Sequence, residues 1–409
     1  MRNFSDLYTM SCPSKYREIK DFHRYYSGAK KAPIPTIVIG GNHEASNYLW
    51  ELYHGGWLAP NIYFLGHAGS VIVDGLRISG ASGIYKENHY QIGYDEQLPY
   101  DSQALRSIYH VREYCVRKLS LVPKLPQPDI FISHDWPNTI EQHGDVQALM
   151  KKKRYLQSDI EARNLGSPPF MDLLKTLKPQ RWFAAHMHAR FEAEVMHNPV
   201  VKIANSNEIT IEDDLFDEES PKEISTTATK LKHKIGTTVP NAPLTTKFLA
   251  LDKCLPRRQF LEVRQVLDIS CPAFDTAKQS LRRPKPNISF DPHWLAITRA
   301  FHPMLSLGRK QAPLPDEAEA RASVERELQW VNEHVPKKLG GKWAVEKCQK
   351  FVKTAMSVSP RETGRMKSRT RGPSTYTNPQ TVALCDLLEM PNKINPSFEG
   401  KPDVPPPPS

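Results

Sequence analysis

Thr36-Ile37-Val38-Ile39-Gly40-Gly41-Asn42-His43-Glu44 is the stretch on which the reading of this chain turns. Four β-branched residues in a row are the signature of a short buried strand. Two glycines then let the backbone leave that strand abruptly, so Asn42, His43 and Glu44 arrive on the loop at its end. The arrangement recurs twice. Asp129-Ile130-Phe131-Ile132-Ser133 ends on His134, and Trp182-Phe183-Ala184-Ala185 ends on His186, with His188 two residues on. Around these, residues 62–65 form another apolar run, and 71–73 and 76–78 flank Asp74-Gly75, a strong signal for a tight hairpin. Residues 138–177 are charged and mostly helical in character. Strands alternating with helical segments, with polar residues at strand ends, predict a layered α/β (α+β) domain whose site lies at one sheet edge.

The chain has 409 residues, which at roughly 150 per domain predicts two to three domains. A hydrophobic share of 39% supports a real core, while a mean hydropathy of -0.53 and 35 prolines predict polar stretches and long loops. The composition changes after Asn205: residues 212–219 carry six acids and no base, and 225–240 are rich in Thr and Lys. The expected organisation is therefore a first domain at 1–205, a flexible linker at 206–243, a second and mainly helical domain at 244–392, and a Pro-rich tail at 393–409. Helix spacing in the second domain shows at Trp294, Ile297 and Phe301 and at Val324, Leu328 and Val331.

A formal charge of +10 and a pI near 9.1 give a modest positive field that favours a polyanionic partner. Arg361, Arg365, Lys367, Arg369 and Arg371 form a basic run that reads as a solvated loop, an RNA-backbone contact or an import signal. The six cysteines are scattered without a CxxC pair, which excludes a structural zinc finger and predicts a reduced, intracellular protein. No apolar run approaches the roughly 18 residues of a membrane helix, and residues 1–10 have no hydrophobic signal core, so no membrane association is expected.

The chemistry is concentrated in the three strand-end clusters: Asn42-His43-Glu44, His134-Asp135 and His186-Met187-His188. Each sets nitrogen or carbonyl-oxygen donors on a strand-to-loop junction, where separate segments converge on one point. On an extended backbone the i, i+2 spacing of His186 and His188 turns both rings to the same side, toward one ion or two close ions.

G-N-H-E, a strand-terminal histidine and a final H-x-H resemble the calcineurin-like metallophosphoesterases, in which two divalent ions activate a water against a phosphoester. Within that superfamily the chain resembles the RNA lariat debranching enzymes. The resemblance rests on G-N-H-E-A-S-N at 41–47, G-G-W-L-A-P-N-I-Y-F-L-G at 55–66, R-S-I-Y-H-V-R at 106–112, S-H-D-W-P at 133–137 and A-H-M-H at 185–188. F-L-A-L-D-K-C-L-P-R-R at 248–258 and N-P-Q-T at 378–381 extend it. It implies a metallophosphoesterase-type layered β-sandwich flanked by helices, acting in the nucleus on the 2′-5′ phosphodiester of branched (lariat) intron RNA, with a spliceosome-associated protein as a further partner. It also implies Asn42, His134, His186 and His188 as ligands to Fe(II), Zn(II) or Mn(II), and His43 as the general acid for the departing 2′ oxygen. The segment 82–112 matches the lariat-recognition loop, with Tyr85, Lys86, Arg106, Tyr109, His110 and Arg112 as RNA contacts.

The family's first strand, ending in D-x-H or C-x-H, and its second, carrying G-D, have no counterpart in the sequence, and Met1-Arg2-Asn3 aligns just after them. The ligand set that remains has no formal negative charge, so one weakly held ion is expected in place of two, and an apolar strand edge beside 36–39. A catalytically silent lariat-binding or scaffold protein is the alternative.

Overall fold

The computed structural model describes residues 1–197, 244–264, 287–358, 364–365 and 372–396. The expected linker at 206–243 lies outside the described residues, as do nearly all of the basic run at 361–371 and most of the tail at 393–409.

Two sheets form the frame. Strand β1 (Thr36–Val38) runs parallel to β3 (Ile62–Phe64), which pairs antiparallel with β2 (Gly56–Ala59), giving a three-stranded sheet of order β1-β3-β2 with β1 at its edge. The larger sheet begins with the hairpin β4 (Ala68–Val73) and β5 (Leu76–Ala81). Asp74 and Gly75 both take positive φ, 47° and 89°, as a tight two-residue hairpin turn requires. Strands β6 (Ile130–Ser133), β7 (Arg181–Ala184), β8 (Phe191–His197), β9 (Leu244–Ala250) and β10 (Ile288–Phe290) complete a seven-stranded sheet of order β10-β4-β5-β6-β7-β9-β8. Strands β5, β6, β7 and β9 are mutually parallel. Each therefore delivers its following loop to the same edge.

Aromatic residues on the sheet's strands and loops fill the core. The Phe131 and Trp182 rings stack with centroids 4.0 Å apart, and Trp136 stacks on Phe191 at 5.3 Å with Phe248 edge-on at 5.4 Å. Helix α1 (Ser46–Glu51) follows the first strand-end loop, and α2 (Glu113–Ser120) lies against β4 and β5. Helices α3 (Val146–Lys152) and α4 (Pro168–Leu177) connect β6 to β7, with α4 packed on α2.

The carboxy-terminal residues expected as a second domain at 244–392 share the large sheet with the first part of the chain. They supply β9, inserted between β7 and the edge strand β8, and β10 at the opposite edge, and only then the helices α5 (Pro292–Phe301), α6 (Glu317–Lys338) and α7 (Pro379–Leu387). The physical reason is the F-L-A run at 248–250, buried on both faces between β7 and β8, where no helix-type patterning is needed. Core residues of both parts, such as Phe131 and Trp182 with Phe248, Trp294 and Phe301, belong to one continuous cluster. The same residues are stitched to the small sheet by glutamines: Gln380 Oε1 accepts from the Trp57 N–H at 2.7 Å, and Gln349 Oε1 from the Tyr63 hydroxyl at 3.2 Å. Among the described residues no helix is long and apolar enough to cross a membrane.

Candidate functional site

His134 is the first residue after β6, and Ala185-His186-Met187-His188 follows β7, so these side chains share the carboxyl edge of neighbouring parallel strands. The loop after β1 is drawn to the same edge by the main chain. Gly40 N–H donates to Ser82 Oγ at 2.9 Å, Gly83 N–H donates to Gly40 O at 2.9 Å, and the Ser82 hydroxyl donates to Gly66 O at 2.6 Å. Asn42 Oδ1 consequently stands 3.1 Å from His134 Nε2, and the His134 and His186 ring centroids are 5.0 Å apart. Gly41 is required here for closeness, because a Cβ on it would fall 2.7 Å from His134 Cε1.

His43 is exposed, with Nδ1 2.9 Å from the Ser11 carbonyl oxygen, so this nitrogen carries the donated proton and Nε2 remains for other chemistry. The Tyr109 hydroxyl lies 3.3 Å from Ser11 Oγ, which brings the segment 82–112 to the same neighbour.

Burial, reinforced by the neighbouring imidazoles, presses His134 down to about 3 and His186 to about 4; His188 is lowered by burial and by Lys253 and Lys153. All three rings are neutral at pH 7, the state in which imidazole is a metal ligand. The backbone departs from the expected extended H-x-H. His186 and His188 both sit in the left-handed region, at φ 44° and 52°, and Met187 N–H reaches back to Ala185 O at 2.6 Å. A tight turn, not strand alternation, presents the two rings, and left-handed backbone at non-glycine residues costs on the order of 1 kcal/mol or more each.

Neutral imidazoles and an amide oxygen are donors suited to Fe(II), Zn(II) or Mn(II). As placed, no three His, Cys, Asp or Glu side chains among the described residues draw together tightly enough to enclose an ion. The acid on the same turn, Asp135, is committed elsewhere: it accepts from the main-chain N–H of Tyr85 at 3.0 Å and of Trp136 at 2.9 Å. The donor types thus fit a divalent ion, and Asp135 is not free to bridge two.

A family model described as "Lariat debranching enzyme, C-terminal domain" matches residues 243–393. The chain is similar to the lariat debranching enzyme of Arabidopsis thaliana, 39% identical over 97% of this chain and 78% of that relative. To that of Schizosaccharomyces pombe it is 39% identical over 95% and 88%, and to that of Homo sapiens 41% identical over 77% and 49%.

The chain belongs to the lariat debranching enzyme family.

Two of the loop residues expected to touch RNA in this debranching-family chain are turned inward, which corrects that part of the reading. Arg112 is fully buried, pairs with Glu96 at 2.7 Å and lies 4.9 Å from the Tyr94 ring centroid, so its charge ties the loop down. His110 is buried with Nδ1 2.7 Å from His89 Nδ1. Tyr85 and Tyr109 are half-buried, and Lys86 and Arg106 are exposed.

The debranching-family site also has neighbours that sequence reasoning passed over. Lys152 and Lys153, at the end of α3, and Lys253 and Arg258, after β9, stand beside His188 and around the buried Asp252. Their charge was visible in K-K-K-R at 151–154 and in the block at 248–258, but their meeting depends on β9 lying next to β7, which no local pattern announces. Asp135, which anchors the start of the loop to the β6 turn, carried no signal beyond its place beside a strand-end histidine.

Proposed function

We propose that this chain hydrolyses the 2′-5′ phosphodiester at the branch point of excised lariat intron RNA, in the nucleus, on a metallophosphoesterase-type framework of layered sheets. The observation that carries the reading is the meeting of Asn42, His134 and His186, delivered from three separate strand ends, in a chain whose relatives are named for lariat debranching. Those names belong to enzymes, which favours hydrolysis over silent RNA binding.

Asn42, His134, His186 and His188 would hold a divalent ion, Fe(II), Zn(II) or Mn(II), which when bound lowers the pKa of water and offsets charge on the phosphoryl group. The remaining work falls to side chains. His43, fixed through Nδ1 to Ser11 O, keeps Nε2 for protonating the departing 2′ oxygen. Tyr85 and Tyr109 offer ring faces to splayed bases, and Lys86 and Arg106 offer exposed charge to the backbone.

Cleavage of a synthetic branched RNA in the presence of Mn(II), Fe(II) or Zn(II) tests this. His43→Ala is expected to slow it by about 10²- to 10⁴-fold. Failure of the unmutated chain to cut branched RNA with any of the three metals would overturn the reading.

A further inference from the structure

The carboxyl edge of the large sheet has a fourth member that the site above does not use. Strand β9 ends at Ala250, parallel to and beside β7, and Leu251 N–H donates to Ala184 O at 3.2 Å, so the turn that follows begins next to the His186–His188 turn. Asp252 shapes that turn. Its buried carboxylate accepts from Lys253 N–H at 2.7 Å, its own N–H donates to Gln259 O at 3.0 Å, and Arg258 Nη1 lies 3.5 Å from Oδ2. The closed turn presents Lys253, Arg257 and Arg258 at the surface, with Arg257 in the left-handed region at φ 60°.

A second basic segment reaches the same place. Helix α3 ends in Lys151 and Lys152, followed by Lys153, Arg154 and Tyr155. The Tyr155 hydroxyl donates to Met187 O at 3.3 Å, which fastens this run to the same turn, yet 65% of Tyr155 stays exposed. Two segments separated by about a hundred residues of sequence thus place their cations side by side against one buried acid. Among the described residues no carboxylate lies within ion-pair distance of Lys152, Lys153, Lys253 or Arg257. Several like charges gathered around a single acid repel one another and call for polyanion. An exposed ring beside them supplies a stacking face, the combination that binds single-stranded nucleic acid.

We propose that this ridge, Lys152, Lys153 and Tyr155 facing Lys253 and Arg257, grips the phosphate backbone of one RNA arm as it leaves the branch. The inference rests on the debranching reading and adds to it a substrate contact shared between the first strands and the late strand β9. Affinity for long-armed branched RNA comes from the ridge, and affinity for the branch itself from the loop 82–112.

Binding by the full chain, kept in EDTA so that nothing is cut, separates these contributions. The probes are a branched RNA with arms of about ten nucleotides and a branched trinucleotide. The long-armed RNA is expected to bind the unmutated chain at least about tenfold tighter. Lys152→Glu with Lys153→Glu and Lys253→Glu should erase that advantage and lower the slope of log affinity against log salt by about 2, at about 0.7 per lost single-strand phosphate contact. Replacing the same lysines by arginine should restore both, and Lys337→Glu, on the exposed face of α6, should change neither. Thermal melting establishes that each variant is folded. A triple variant that melts normally and keeps its slope overturns the ridge while leaving hydrolysis intact, as does an arginine variant as weak as the glutamate one. An unmutated chain that binds branched RNA no better than linear RNA, and cuts neither once Mn(II) is restored, overturns both readings.

Discussion

The network around Arg2 and the histidine edge of the large sheet are both polar and largely removed from water, and they are built in opposite ways. Around Arg2 every group is partnered: its guanidinium reaches Asp6 at 2.9 Å, Glu51 at 2.8 Å and Thr354 at 2.8 Å, and lies 4.1 Å from the Tyr48 ring centroid. Against the cost of burial, Glu51 and Asp6 keep Arg2 charged, and Arg2 holds Asp6 ionised in spite of burial. At the histidine edge the rings are neutral, the backbone is left-handed at two of them, and among the described residues no carboxylate lies within ion-pair distance of Lys152, Lys153 or Lys253. A saturated network specifies one arrangement of the chain, whereas an unsaturated one leaves lone pairs and charges for a ligand.

The largest expected difference follows directly. Arg2→Met leaves Asp6 and Glu51 buried without a counter-charge, and should lower unfolding free energy by about 3–5 kcal/mol in a denaturant titration. A loss below about 1 kcal/mol would mean that the network is decoration. Gly41→Ala should do the reverse. The added Cβ displaces the His134 ring, so cleavage of branched RNA falls by about 10²-fold while the denaturant midpoint barely moves. If that variant instead unfolds as Arg2→Met does, the two regions are one cooperative structure and the contrast fails.

A smaller effect comes from acid. His67, set among the rings of Trp50, Tyr53 and Tyr94, is pushed down to about 3 by burial and by Arg112. Burial and, secondarily, Lys393 bring His302 down to about 4. The unfolded chain takes up these protons near 6.5 and the folded chain resists them, so the stability they contribute is complete above pH 6.5 and is lost as pH falls toward 4 and 3. Each ring costs the fold about 2 kcal/mol at pH 5. Asp135 acts against them, because burial raises its carboxyl to about 6 and it is protonated in the folded chain first. Unfolding titrations at pH 7.5 and pH 5 should therefore show net destabilisation in acid, and equal stability at both would refute the assignment of neutral, desolvated rings.

Much of the frame could be read from local pattern. The hairpin around Asp74-Gly75 and the strands that end on His134 and His186 are each settled by a handful of adjacent residues. The meeting of Asn42 with His134 was also within reach, since strand ends in such sheets share an edge. What escaped depends on distant partners. The placement of β9 is decided by β7 and β8 on either side, and a short apolar run does not name its neighbours. The i, i+2 histidines suggested an extended segment because spacing says nothing of φ. Arg112 and His110 looked like surface contacts because charged residues usually are, and only Glu96 and His89 explain their burial.

The insertion of β9 between β7 and β8 has a bearing on how the chain matures. Translation finishes β8, residues 191–197, well before β9, residues 244–250, yet the later strand belongs between the two earlier ones. A nascent polypeptide interrupted anywhere between them already owns all four histidines of the site and still has two bare strand borders where the sheet should close. The sheet that carries the histidine edge is therefore closed only once residue 250 has been made.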